Sequence, residues 1–95
     1  MTENIIKVTL KQQRDYRFDI HFDAAMHIVT SDEPAPLGTG LGPSPVQLLC
    51  AAVGNCLSDS LLFALRKFKQ SPEPINCVVE AQVGRNAEGR MRVLQ

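Results

Sequence analysis

The sequence predicts an α+β domain, on two observations. Short runs of alternating apolar and polar residues lie on both sides of one long apolar stretch, and that stretch carries the end signals of a helix. The expected order is β-β-β-α-β-β, with antiparallel strands around a long, buried central helix at residues 45–68. The chain is read as one domain, residues 1–95, with an irregular loop at 32–44 before the helix.

Ile6, Val8 and Leu10 alternate with Lys7, Thr9 and Lys11, and residues 12–15 read as a polar turn. Tyr16, Phe18, Ile20 and Phe22 then alternate with Arg17, Asp19, His21 and Asp23, which puts the apolar set on one face of a strand. His21 and His27 are expected at the strand surface. A third short strand is expected from Met26 to Thr30. The following loop holds Pro34, Pro36 and Pro43 with Gly38, Gly40 and Gly42, too irregular for either regular element. Loops of this length in compact domains are usually functional or mobile. This one lacks the Gly-Lys-Ser/Thr ending of a phosphate-binding loop.

The helix opens with Ser44 as N-cap, Pro45 at the first position and Gln47 in capping-box spacing. Apolar residues from Leu48 to Leu65 surround it rather than forming a stripe, the pattern of a helix covered on nearly all sides. Arg66, Lys67 and Lys69 suit its C-terminus, and Ser71-Pro72 is expected to stop it. Ile75, Cys77, Val79, Ala81 and Val83 alternate like a fourth strand. Residues 86–89 read as a turn, and a fifth strand starts at Arg90. One small sheet covers only one side of such a helix. Either further chain follows Gln95, or a second copy supplies the missing wall.

Ten basic and ten acidic residues give a net charge of +0, which speaks against a phosphate-tracking nucleic-acid surface. Gln47, Asn55, Ser58, Asp59 and Ser60 interrupt the most apolar window, so membrane insertion is not expected. No secretory signal is visible in the first fifteen residues. Three irregularly spaced cysteines fit neither a disulfide framework nor a zinc site. The expected setting is the cytoplasm, with reduced thiols and no bound metal or cofactor.

The stretches HIVTSDEP (27–34), GLGPSP (40–45) and QLLCAAVGNCL (47–57) together resemble the OsmC/Ohr family of osmotically inducible and organic-hydroperoxide-resistance proteins. The spacing from Pro45 to Cys56 matches the family pattern without a gap. The resemblance implies an intertwined homodimer with two central helices packed between wrapped sheets. It also implies reduction of organic hydroperoxides by a reactive cysteine at Cys56, with an external thiol as reductant. The assisting arginine comes from the N-terminal strands, where Arg14 and Arg17 both match. Two features depart from the family. The frequent glutamate after the helix-opening proline is Val46, and the later helix with a second cysteine is not in the sequence. These departures keep a second reading open, a binding or structural relative without turnover.

The chemistry asks for a cation. A peroxide-reducing thiol reacts as the thiolate, and Cys56 lies about three turns into the helix, too deep for the terminal dipole to help much. A guanidinium can supply the charge and also hydrogen-bond the peroxide oxygens. Leu49, Phe63 and the strand aromatics would form an apolar collar suited to an alkyl hydroperoxide. Cys50 is six residues from Cys56, about 9 Å of rise, which is beyond the roughly 7 Å limit for a disulfide. Cys77 is expected on the core face of its strand. The chain is therefore expected to oxidise without an intrachain disulfide. Asp59 reads as an exposed helix position.

Overall fold

The computed structural model describes residues 4–85 and 91–93. Its elements follow the order β-β-β-α-β-β: β1 (Thr9–Arg14), β2 (Arg17–His21), β3 (Val29–Ser31), α1 (Pro45–Lys67), β4 (Val83–Arg85) and β5 (Met91–Val93). The α+β class holds. The chain forms two compact units, Met1–Pro45 and Val46–Gln95.

The first unit is a three-stranded antiparallel sheet in the order β1-β2-β3. Thr9 pairs with His21 and Leu10 with Ile20, and the ladder runs through an irregularity after Gln12 to Arg14 opposite Arg17. The expected four-residue polar turn is therefore shorter. Asp15 and Tyr16 make the corner, with Asp15 in the left-handed region at φ 49°, a conformation that short polar side chains tolerate. The Gln12 side chain donates to the Asp15 carbonyl across it at 2.9 Å. Ile20, 5% exposed, is the buried apolar centre among the described residues. Tyr16 and Phe22, expected on the same face, fall just beyond the ends of β2 and are about half exposed. Met26 and Ile28 likewise precede β3 and remain exposed.

The loop after β3 folds back on itself through backbone hydrogen bonds. Asp32 donates to Pro43, Gly38 to Pro34 and Gly40 to Glu33. Gly38 is required by close approach, since a Cβ there would overlap the Glu33 carbonyl and the Asp32 carboxylate.

In the second unit α1 opens at Pro45, as its sequence signals require. It ends in a Schellman arrangement before the Ser71-Pro72 stop. Lys69 donates to the Arg66 carbonyl and Gln70 to that of Leu65, with Lys69 left-handed at φ 59°. Arg66 then clasps the Glu73 carboxylate. The expectation of a buried helix is not met among the described residues. Gly54 is its one buried position, and Leu49, Val53, Leu57, Leu61 and Phe63 are all exposed. The fourth strand is also shorter than its alternation suggested. Residues 75–82 have no ladder partner among the described residues, and pairing begins at Val83 opposite Val93. The turn expected at 86–89 lies outside the described residues.

Candidate functional site

Gly54 fixes the geometry of the central cysteines. Residues 75–79 cross α1 there so closely that a Cβ on Gly54 would stand 2.8 Å from Val79 Cγ2 and 3.4 Å from Cys77 Sγ. Any larger residue there would have to push the Val79 side chain aside, so glycine favours that approach. An open cleft of about 430 Å³ lies along the crossing, lined by Cys50, Gly54, Ser58, Ile75, Cys77 and Val79 among others. Cys77 is therefore not the core residue expected of it. The residue is exposed, because the segment that carries it is irregular chain rather than the inner face of a sheet.

Cys56 is exposed as well, and it faces the other way. Two residues on from Gly54 is about 200° of helical rotation. Around it on the helix stand Leu49, Val53 and Phe63, seven and three residues before it and seven after, all exposed. Asp59 and Ser60, three and four residues on, are exposed beside them. All three cysteines are free thiols.

The two candidate arginines belong to the first unit, where the ladder sets Arg14 opposite Arg17. Arg14 is exposed, with its Nε 3.9 Å from Asp15. Arg17 is largely covered and already engaged. Its Nη2 donates to Thr39 Oγ1 at 2.8 Å, and its Nε lies 3.5 Å from Asp32 Oδ2. That Nε is buried and has no hydrogen-bond partner among the described residues.

Asp32 is the centre of this group, and no functional reading of the sequence had singled it out. Only 2% exposed, it accepts from the Glu33 amide through Oδ1 and from the Thr39 amide, the Thr39 hydroxyl and the Leu41 amide through Oδ2. Burial by itself would raise its pKa. The Thr39 hydroxyl and the Leu41, Thr39 and Glu33 amides outweigh that and hold the carboxyl below its ordinary value. One signal was available. An aspartate placed where a strand gives way to a Gly/Pro loop is well suited to collect amides that have no regular partner.

Among the described residues no group of three or more His, Cys, Asp or Glu side chains could hold a metal ion. By length and composition α1 is also apolar enough to cross a membrane, a test that core helices of soluble proteins pass as well. No family model, curated protein or solved structure matches the chain.

Proposed function

We propose that this chain is a thiol-dependent peroxidase of the OsmC type, reducing organic hydroperoxides through Cys56 in the cytoplasm. The observation that carries the reading is the exposed Cys56 thiol within an exposed apolar helix face of Leu49, Val53 and Phe63. It lies in the stretch whose sequence resembles the family. An alkyl hydroperoxide suits such a face better than hydrogen peroxide does. The Cys56 thiolate attacks the distal peroxide oxygen. The O–O bond breaks, an alcohol leaves with a proton, and the sulfur is left as a sulfenic acid. An external thiol then reduces it. No metal or cofactor takes part. Arg14 is exposed, with a long contact to Asp15, and among the described residues it is less engaged than Arg17.

The engagement of Arg17 by Asp32 and Thr39, together with Val46 in place of an acidic residue, favours a second reading: a non-catalytic member that keeps the fold for binding. One experiment separates the two. Reduced protein is treated with cumene hydroperoxide and a sulfenic-acid trap, and the adduct is mapped by mass. The peroxidase reading expects the adduct on Cys56, and, on a Cys77→Ser background that silences the other exposed thiol, turnover with a small dithiol lowered by an order of magnitude or more by Cys56→Ser. An unlabelled Cys56 overturns it.

The same reading makes the protein a homodimer in which a second copy covers α1, with no nucleic-acid or membrane partner.

A further inference from the structure

We propose that Cys50 and Cys77 form a second redox site, a dithiol that closes to an intrachain disulfide and fastens residues 75–79 to α1. The inference stands independently of any peroxidase activity at Cys56. Three observations converge on it. Cys77 Sγ lies 3.4 Å from the point a Cβ on Gly54 would occupy, so the thiol rests over that turn of the helix. Cys50 is one turn earlier on the same face, about 5–6 Å away between Cβ positions. Both residues line one open cleft, together with the small residues Ala51 and Gly54 of the same helix. A disulfide needs Cβ atoms about 3.5–4.5 Å apart. Closing the gap takes a slide of residue 77 by less than one helical turn. The chain that must move has no ladder partner among the described residues, so no sheet hydrogen bonds oppose the slide.

Cys56 is excluded from this pair, since it lies on the far side of the helix from the crossing. The absence of a bond to Cys56 was expected from the sequence. A bond between the other two cysteines was not, because Cys77 was expected inside a sheet.

The oxidant is a hydroperoxide. The more exposed thiolate, Cys77, attacks its distal oxygen, the O–O bond breaks, and the alcohol leaves with a proton. Cys50 then attacks the Cys77 sulfenic sulfur. The S–S bond forms, the S–O bond breaks, and the hydroxide leaves as water after taking a proton. Two thiols lose two electrons in all, and the peroxide becomes alcohol and water.

The test is peptide mapping of the full chain after treatment with several equivalents of cumene hydroperoxide, enough to oxidise Cys56 as well, at low protein concentration and without reduction. Trypsin separates residues 18–66, which hold Cys50 and Cys56, from residues 70–85, which hold Cys77. The expected product is these two peptides joined, lighter than their sum by two hydrogens, with fragmentation placing the bond on Cys50. It should persist in Cys56→Ser and vanish in Cys50→Ser. A bond placed on Cys56, a bond surviving in Cys50→Ser, a link only between two chains, or free thiols at both Cys50 and Cys77 each overturns the proposal. The wild-type fragmentation decides the matter even if a variant fails to fold. Failure of the Cys56 trapping experiment leaves this result unaffected.

Discussion

Asp32 shows how one side chain organises a loop that has no regular structure of its own. Its two oxygens collect three amides and a hydroxyl, and Arg17 lies against one of them. Unmade, those donors would sit partly buried without partners, the costly alternative. The carboxyl is held below its ordinary value, so the folded protein binds this proton less readily than the unfolded chain does. Its stabilisation is present above the ordinary carboxylate range and is lost as the pH falls through the lowered folded value. Amide exchange at Thr39 and Leu41 should therefore remain slow from neutral pH down to about pH 5 and speed up, beyond the intrinsic pH trend, in stronger acid. Asp32→Asn should raise exchange at both amides at neutral pH and remove that acid step. Unchanged protection in the variant would mean that the backbone bonds of Gly38 and Gly40 hold the loop without the carboxylate.

At the scale of elements, α1 is the best-specified part of the chain, and its C-terminus carries a local conflict. Lys69 takes the left-handed position of the Schellman ending, where a side chain costs about 1–2 kcal/mol and glycine almost nothing. Lys69→Gly should stabilise the protein by about 1 kcal/mol in urea denaturation, less whatever the added freedom of the unfolded chain takes back. A loss of stability would show that the lysine makes a contact worth more than its strain. The signals at Ser44 and Pro45 gave the start of this helix, because capping chemistry is local. The strand around Phe18 and Ile20 was legible for the same reason. Residues 75–82 show where that legibility stops. Their alternation is sound, yet a strand also needs a partner, and pairing is not encoded in a single run. The Gly54 crossing was hidden for a related cause. It depends on which segment comes back to the helix, so Cys77 was assigned to a sheet interior. Cys56 could be singled out in sequence, but the commitment of Arg17 to Asp32 could not, since Asp32 and Thr39 meet only when the loop closes.

For the molecule as a whole, the unfinished business is the apolar surface of α1. Leu49, Val53, Leu57 and Leu61 form one i, i+4 ridge, and each is roughly half exposed. Full burial of such a side chain is worth about 1.5–3 kcal/mol, so covering the exposed half yields about 1 kcal/mol each. Eight of them, four from each of two copies, yield about 8 kcal/mol, against an association cost of about 4–15 kcal/mol. That ridge alone roughly breaks even. A stable dimer must therefore also cover neighbours such as Phe63 and Phe68, both exposed. Light scattering on the detergent-free protein at micromolar concentration should give twice the chain mass of 10.5 kDa. Leu57→Glu, which places a carboxylate on the middle of the ridge, should shift it toward monomer by tenfold or more in dissociation constant, since an unpaired buried charge is strongly unfavourable. A folded monomer in the wild type would overturn the dimer. Protein that stays in solution only with detergent would overturn it too, and would assign the apolar surface of α1 to lipid instead.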